Sequence, residues 1–398
     1  VPELRFKGFT DEWEERKLKD IAQFNPKTVL PDEFEYVDLE SVVGTEMISH
    51  RTESKDQAPS RAQRLAQKGD VFYQTVRPYQ MNNYLYDLPY DNYVFSTGYA
   101  QMRPNIDSYF LLNSVQNKQF VQHVLDRSTG TSYPAINSSD LSNIEIHVPS
   151  KLSEQQKIGA FFQSIDDTIA LHQRKLDLLK EQKKGYLQKM FPKNGAKVPE
   201  LRFAGFADAW EQRKLINLAN FSKGKGYTKN DLSDSGKEII LYGQLYTNYQ
   251  TEITSVDTFV KSDYGAVKSE FGDVIVPGSG ETAEDISRAS VIMCNDVILG
   301  GDLNIIKTDK NKLSPLFLAL TISNGKQQKD LIKRAQGKSV VHLHNSDLAT
   351  VNVKMPKIIE QNKIGLLFKQ LDSTIALHQR KLDLLKEQKK GFLQNMFV

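Results

Sequence analysis

The segment TIALHQRKLDLLKEQKKG occupies residues 168–185 and recurs without a change at residues 374–391. A second matching pair opens each half of the chain, reading VPELRFKGFTDEWEERKL at residues 1–18 and VPELRFAGFADAWEQRKL at residues 198–215. Ordered self-similarity of this kind indicates a duplicated structural unit. The chain is therefore one unit of about 200 residues written twice.

Between these flanks the two halves diverge, although short echoes remain in the same order. Gly69-Asp70-Val71 matches Gly272-Asp273-Val274, and Ser139-Asp140-Leu141 matches Ser346-Asp347-Leu348. Similar ends around dissimilar middles favour a common frame that carries two different recognition surfaces. Duplication of a fold without functional meaning is the alternative.

The closing segment of each half is predicted to be a long coiled-coil helix. Apolar residues recur with a seven-residue period from Ile158 to Met190, and again from Ile364 to Met396. A heptad sustained over this length is typical of helices that pack along a seam. The two helices are expected to pair with each other in antiparallel orientation, with one globular domain at each end of the pair. The alternative is that each helix pairs with another copy of the protein.

The predicted fold class is α+β, with two tandem mixed α/β domains joined by two long helices that form an antiparallel coiled coil. The predicted segments are a first domain at 1–150, a central coiled-coil helix at 151–192, a linker at 193–197, a second domain at 198–356 and a C-terminal coiled-coil helix at 357–398.

Each domain is predicted to contain short strands broken by turn residues, together with helices. Strands are expected in the first domain at 70–75, 93–102 and 143–148, and in the second at 273–277, 289–293, 296–307 and 350–355. Helical patterns occur at 110–126 and 313–336.

Loops in both domains carry side chains suited to DNA. Arg pairs with guanine, Asn or Gln with adenine, and Ser, Thr, Tyr and Lys with phosphates. An ordinary polar loop is the alternative for any single residue. We favour first the loop after each Gly-Asp-Val strand, and next the loop before each Ser-Asp-Leu segment. The candidates are Arg77, Tyr79, Gln80, Asn82, Asn83, Thr131, Ser132 and Tyr133 in the first half, and Lys225, Tyr227, Tyr246, Ser279, Glu281, Thr282, Lys338 and His342 in the second.

The composition is that of an ordinary globular protein, with 39% hydrophobic and 25% charged residues. The net charge of +3 permits nucleic-acid binding without demanding it. We expect neither a membrane span nor a signal peptide. The single cysteine, Cys294, cannot form an internal disulfide, which favours a cytoplasmic location.

The repeated framework resembles the specificity subunits of type I restriction–modification enzymes. The similarity is carried by Val-Pro-Glu-Leu-Arg-Phe-x-Gly-Phe ahead of Trp-Glu-x-Arg-Lys-Leu, by the Gly-Asp-Val strand, and by a closing Glu-Gln-x-Lys-Ile-Gly motif. That last motif lies at residues 154–159 and 360–365. Each motif alone is modest, but their duplicated order is specific and spans essentially the whole chain.

The resemblance implies two target-recognition domains, each reading one half of an interrupted, asymmetric target in double-stranded DNA. It implies that the helical pair sets the spacing, that two methyltransferase subunits dock on the framework, and that two restriction subunits join for cleavage. No cofactor would be bound by this chain. S-adenosylmethionine would belong to the methyltransferase subunits, and ATP and Mg to the motor-nuclease subunits.

The residues themselves argue against catalysis. A DNA methyltransferase needs an Asn/Asp-Pro-Pro-aromatic motif, whereas Asn25-Pro26 is followed by Lys27, and a motor would need a Walker A lysine motif, which is absent. His172 and His378 hold equivalent seam positions, but a lone seam histidine is usually structural, so no metal site is expected. Two other functions stay open: a stand-alone sequence-specific DNA-binding regulator, and a coiled-coil scaffold that never touches DNA.

Overall fold

The computed structural model describes residues 2–193 and 195–397. Its internal contacts divide the chain into two compact units. The first unit comprises Val1–Arg174 and Gln379–Val398, and the second comprises Lys175–His378. Each unit therefore contains one of the diverged middles together with part of each long helix.

The first unit contains two four-stranded sheets. One is antiparallel throughout, in the order Ala22–Phe24, Tyr99–Pro104, Val71–Gln74, Tyr84–Leu85. The other contains one parallel pair, in the order Arg51–Ser54, Glu33–Val37, Tyr93–Ser96, Ala62–Leu65. Two further antiparallel pairs are Trp13–Lys17 with Glu145–Pro149 and Val42–Val43 with Glu46–Met47. The helices are Leu18–Ile21, Ser108–Val115, Lys118–Asp126 and Ser138–Ser142, with a 3-10 turn at Pro78–Gln80.

Burial and capping explain these elements. Strand Val71–Gln74 is buried at every position, as expected of a strand covered on both faces. The helical pattern at 110–126 is interrupted because Asn117 leaves the helical conformation and accepts the backbone N–H of Gln119, which starts a second helix. The run therefore contains two helices.

The second unit has a five-stranded sheet in the order Ala219–Lys223, Leu303–Thr308, Val274–Pro277, Ser290–Ile292, Glu252–Ile253. A four-stranded sheet has the order Leu232–Ser233, Phe259–Val260, Lys237–Ile240, Ile298–Leu299. The two-stranded pairs are Glu211–Lys214 with Asn352–Met355 and Ser279–Gly280 with Val341–His342. The helices are Gln244–Thr247, Ala283–Ile286, Pro315–Ile322, Gly325–Ile332 and Asn345–Ala349, with 3-10 turns at Leu215–Asn217 and Lys229–Asp231.

The seven strands predicted from the sequence are close to observed strands, but their bounds differ. Each of the seven strand predictions overlaps at least one observed strand. Two of them, at 93–102 and 296–307, each overlap two strands, because a short turn interrupts the apolar run at Thr97–Gly98 and at Gly300–Asp302. Prediction from an apolar run alone does not detect such turns.

The long helices extend over Leu152–Lys189, called the central helix, and Ile358–Asn395, called the C-terminal helix. In the first unit, early residues of the central helix meet late residues of the C-terminal helix. The rings of Phe161 and Phe392 are 4.9 Å apart, and Lys389 Nζ lies 2.6 Å from Asp166 Oδ1. The two helices therefore run antiparallel there.

The second unit shows the same arrangement with the roles exchanged. Late residues of the central helix meet early residues of the C-terminal helix, since Lys183 donates to Asp372 and Phe191, which follows the central helix, packs 6.3 Å from Phe368. The prediction that two helices of one chain pair antiparallel is confirmed within each unit. A lysine at a seam position that pairs with an aspartate of the facing helix fixes register and orientation.

Among residues 2–193 and 195–397, no helix is long and apolar enough to cross a membrane.

Candidate nucleic-acid interface

In the first unit, the loop that follows strand Val71–Gln74 touches the loop that precedes helix Ser138–Ser142. Val76 forms a β-bridge with Ala135, and the Arg77 N–H donates to the carbonyl of Pro134 at 2.8 Å. Two loops that are distant in sequence therefore form one surface. We call residues 76–83 and 129–135 the first loop cluster.

Arg77 and Tyr133 lie together on this surface. The guanidinium carbon of Arg77 is 4.5 Å from the centroid of the Tyr133 ring, a cation–π arrangement that holds the charge in place. The Arg77 backbone is left-handed, with φ at 55°. Tyr133 remains 64% exposed, so its ring supports the guanidinium and still faces solvent.

The neighbouring candidates divide into exposed and buried side chains. Tyr79 and Gln80 are exposed, and Gln80 Oε1 accepts from Gln74 Nε2 at 2.9 Å. Asn82 is half-buried and accepts the Gly44 N–H. Asn83 is 1% exposed and accepts the Gln74 N–H at 2.8 Å, which places it beneath the loop. Asn83 is thus positioned to shape the loop, while Gln80 and Tyr79 are positioned to contact a ligand.

The remaining candidates of the first half lie at the tip of a tight hairpin. Thr129 bridges to Ala135, which closes the loop, and Thr131, Ser132 and Tyr133 are exposed between them. Gly130 has φ at +91°, and an added Cβ would lie 2.9 Å from the Tyr133 carbonyl oxygen. The turn therefore requires glycine at this position.

The second unit builds the same junction from different residues. Ser279 pairs with His342 and Gly280 with Val341, while Gln336 bridges to His342 and closes the hairpin. Counted from the Gly-Asp-Val and Ser-Asp-Leu repeats, Ser279 takes the place of Val76, and His342 takes that of Ala135. We call residues 279–282 and 336–342 the second loop cluster.

This hairpin also depends on a glycine. Gly337 has φ at +132°, and a Cβ there would lie within 2 Å of the Val340 carbonyl oxygen. Lys338 is exposed at the tip, as is Val340. The tips read TGTSYPA at 129–135 and QGKSVVH at 336–342, so they share only Gly-x-Ser. Equivalent hairpins in the two units therefore present different side chains.

Ser279, predicted as a contact residue, is 3% exposed and donates to Asp302 Oδ2 at 3.0 Å. This bond anchors the second loop cluster from below. Glu281 is exposed beside it. Thr282 is also exposed but accepts the Asp285 N–H and donates to the Asp285 carboxylate, so it caps helix Ala283–Ile286.

Lys225 and Tyr246 are linked to the second loop cluster through other contacts, whereas the Tyr227 side chain contacts a different part of the unit. The segment around Lys225 hydrogen-bonds the turn at 299–302, because Lys225 N–H donates to Leu299 and Gly301 N–H to Gly226. That turn also contains Asp302, the partner of Ser279. Lys225 is exposed, whereas the Tyr227 hydroxyl donates to the Ser262 carbonyl.

Tyr246 lies against Gly280, whose added Cβ would be 3.7 Å from the Tyr246 ring. Burial and the nearby Tyr242 raise the pKa of the Tyr246 hydroxyl, so it stays a neutral hydrogen-bonding group. Val340 and the turn at 299–302 were not among the residues predicted for this surface. Alignment of the two Gly-x-Ser tips would have found Val340, because Tyr133 takes its place in the other half.

The candidate side chains on the two loop clusters are hydrogen-bond donors, hydrogen-bond acceptors and cations. Within the described part of the chain, no group of three or more His, Cys, Asp or Glu side chains could hold a metal ion. Arg, Gln, Lys and Thr side chains on tight loops are the groups that read base edges and phosphates.

Comparison with known proteins identifies the family to which the repeated framework belongs. The family described as Type I restriction modification DNA specificity domain matches the chain twice, over residues 10–181 and 207–387. The putative type I restriction enzyme MjaX specificity subunit of Methanocaldococcus jannaschii is 22% identical over 73% of this chain and 68% of its own length. The HindI specificity subunit of Haemophilus influenzae is 26% identical over 40% of this chain and 37% of its own length.

Solved structures share the fold. The S subunit of a type I restriction–modification system from M. genitalium aligns over 100% of this chain and 99% of its own, with a TM-score of 0.67 and 16% identity. A chain from a study of complex assembly and conformational transition of a type I system aligns over 97% of both chains, with a TM-score of 0.53 and 20% identity. The chain belongs to the type I restriction–modification DNA specificity domain family and carries two copies of that domain.

Proposed function

We propose that this chain is the sequence-specific DNA-binding specificity subunit of a type I restriction–modification complex, and that each unit reads one half of a bipartite target. One observation carries the proposal. The bridges Val76–Ala135 and Ser279–His342 build the same loop junction in both units, yet the exposed side chains on it differ. One scaffold with two unlike surfaces is what an asymmetric target in two halves requires.

The side chains that we assign to DNA contact are the half-buried Arg77, exposed members of the two loop clusters, and the exposed Lys225 beside the second loop cluster. In the first unit, Arg77 and Gln80 suit base edges, while Thr131 and Ser132 suit phosphates. In the second, Glu281 suits a cytosine amino group, and Lys338 and Lys225 suit phosphates. Asn83 and Ser279 support their loops from beneath.

Catalysis would belong to partner subunits. Two methyltransferase subunits would supply S-adenosylmethionine chemistry, and two restriction subunits would use ATP and Mg. Two observations support the assignment of catalysis to partner subunits: the chain belongs to the specificity-domain family, and its loop clusters carry hydrogen-bond donors and cations.

The long helices would set the distance between half-sites and provide the framework on which methyltransferase subunits dock. Each helix has 38 residues, which corresponds to about 57 Å at 1.5 Å per residue. Half-sites one duplex turn apart lie about 34 Å centre to centre, within that length. Adding one heptad to each helix preserves the seam and should lengthen the gap by about three base pairs.

Methylation-sensitive sequencing of DNA from a host that carries this chain and its methyltransferase tests the proposal. We expect a bipartite motif, and replacing residues 20–150 with the same region of another specificity subunit should change one half only. A change in both halves would contradict the two-unit model. Tight specific binding by the isolated chain, without any methylation, would identify a stand-alone regulator instead.

A further inference from the structure

A groove of about 1170 Å³ lies in the second unit, between the end of the central helix and helix Gly325–Ile332. Its apolar lining includes Phe191, Trp210 and Ile375. Its rim is strongly basic, because eight lysines and two aspartates line the groove. An excess of one charge at a concave surface concentrates ligands of the opposite charge.

Several of these lysines have acceptors inside the unit. Lys183 pairs with Asp372, Lys184 with Glu181 and Lys193 with Glu200, and Lys354 donates to the Ala196 carbonyl. Four others, Lys180, Lys326, Lys329 and Lys333, form no ion pair with any residue in the described ranges, and all four are exposed. Their charges are therefore available to a ligand.

Three of the four lie on one helical face. Lys326, Lys329 and Lys333 are spaced at i, i+3 and i+7, which places their side chains in a single row. The opposite face of the helix is anchored by Leu331, which is fully buried. Beyond Lys333 the chain enters the second loop cluster, whose tip carries Lys338. The row therefore leads directly to the surface assigned to the second half-site.

The row is absent from the first unit. The equivalent positions on helix Lys118–Asp126, counted from the Ser-Asp-Leu repeat, are Gln119, Gln122 and Asp126, all exposed. By contrast, the long helices are identical over 168–185 and 374–391. The basic row is therefore a property of one unit and not of the duplicated framework.

We infer that Lys326, Lys329 and Lys333 form a phosphate-binding track that grips the DNA backbone outside the second half-site. The inference rests on the proposed function and adds an asymmetric contact to it. From Lys326 to Lys333 the helix rises about 10 Å, which matches about three phosphates of one strand at 3.4 Å of axial rise each. The track adds affinity without sequence preference, since phosphates carry no base identity.

The test measures the salt dependence of DNA binding by the complex of this chain with its methyltransferase subunits. In the triple variant K326Q/K329Q/K333Q, the slope of log affinity against log salt should fall in magnitude by about 2–3, since each neutralised phosphate contributes about 0.9. The loss should appear on target and non-target duplexes alike. The difference in salt slope between wild type and the triple variant should disappear on a duplex that is truncated at the outer edge of one half-site. It should remain on a duplex that is truncated at the outer edge of the other half-site.

The first unit provides the matched control. The variant Q119K/Q122K/D126K places the same row on the equivalent helix and should steepen the salt slope, with sensitivity to truncation at the opposite half-site. An unchanged slope in the triple variant overturns the track. The track is also overturned if the triple variant no longer binds the methyltransferase subunits but still binds DNA as wild type does. That result would identify the groove as a site for an acidic polypeptide. Equal wild-type affinity for target and non-target duplexes would refute the proposed function, while the slopes still decide the track.

Discussion

Arg5 and Glu154 face each other in a two-bond ion pair, in which Arg5 Nε and Nη2 donate to the two carboxylate oxygens at 2.6 and 2.8 Å. The pair joins the opening motif of the first half to the start of the central helix. Arg202 and Glu360 repeat it in the second unit, with both bonds at 2.7 Å. The opening motif and the Glu-Gln-x-Lys-Ile-Gly motif therefore bind each other in both units.

Arg5→Ala should destabilise the first unit strongly. Glu154 has only 2% of its side chain exposed, so the variant leaves a buried carboxylate without its partner, which costs about 3–5 kcal/mol. Thermal unfolding should show a Tm lower by roughly 10 °C, at about 2–4 °C per kcal/mol. Arg16→Ala is the control, because Arg16 pairs with Glu14 on the surface and such pairs contribute about 0–1 kcal/mol. Equal effects of the two substitutions would contradict the assignment.

Phe397→Ala should destabilise the first unit, although the residue follows the C-terminal helix. Phe397 is buried and packs 6.4 Å from Trp13 and 5.5 Å from Phe110. Phe191 occupies the same place beside Trp210 in the second unit. A buried phenylalanine replaced by alanine costs about 3–5 kcal/mol.

Hydrogen exchange distinguishes Phe397→Ala from the equivalent variant of the second unit, Phe191→Ala. Phe397→Ala should accelerate exchange in helix Ser108–Val115, whereas Phe191→Ala should accelerate it in helix Pro315–Ile322. Tyr264→Ala, at a fully solvent-exposed ring, should alter neither helix. Loss of protection in the same helix for both phenylalanine variants would show that the packing assignment is incorrect.

The repeated framework could be predicted because it is a local pattern. The heptads predicted both long helices. They did not predict the ion pairs Lys183–Asp372 and Lys389–Asp166, because the two members of each pair lie on different helices. The bridge Val76–Ala135 joins loops far apart in sequence, so no local signal reveals it. The burial of Asn83 beneath its loop was equally hidden, because sequence alone shows a polar residue and not its hydrogen-bond partner.

Asp166 should make stability depend on pH in an unusual direction. Burial raises the pKa of its carboxyl even though Lys389 pairs with it. The folded state then binds the proton more tightly than the unfolded state, so stability rises as pH falls through the raised pKa. The difference in Tm between wild type and D166N should grow in favour of wild type from about pH 7 to about pH 4.

The Asp208 carboxyl provides the opposite control. Its hydrogen bond to Lys357 lowers its pKa, so its contribution is present at neutral pH and lost on acidification. The difference in Tm between wild type and D208N should therefore shrink from about pH 7 to about pH 4. A D166N difference that also shrinks would mean that the ion pair with Lys389 outweighs burial.

Arg77→Ala should relax specificity at one base pair of the first half-site, at a cost of about 1–3 kcal/mol. Tyr133→Ala should reproduce part of that loss, because the ring holds the guanidinium at 4.5 Å. Lys338→Ala should instead weaken all sequences alike and reduce the salt slope by about one. Binding to a panel of single-base variants at two salt concentrations separates these results. If Arg77→Ala weakens every duplex equally, Arg77 is a phosphate contact.

Gly130→Ala and Gly337→Ala should each disable one half of the target. Both glycines have positive φ, and a Cβ would meet the carbonyl oxygen of Tyr133 or of Val340, so each hairpin tip must open. Neither glycine lies in a four- or five-stranded sheet, so each unit should stay folded. Methylation-sensitive sequencing should show relaxed specificity in the first half of the motif for G130A, and in the second half for G337A.

Gly265→Ala is the matched control, since Gly265 also has a positive φ, +67°, but no atom lies within 4 Å of its added Cβ. Gly265→Ala strains the backbone without a steric clash, so the methylated motif should stay unchanged in this variant. The two-cluster assignment predicts that the double variant G130A/G337A loses both halves, because each junction closes on residues of its own unit. Loss of the second half of the motif in G130A alone would show that the first hairpin does not act on its own half-site.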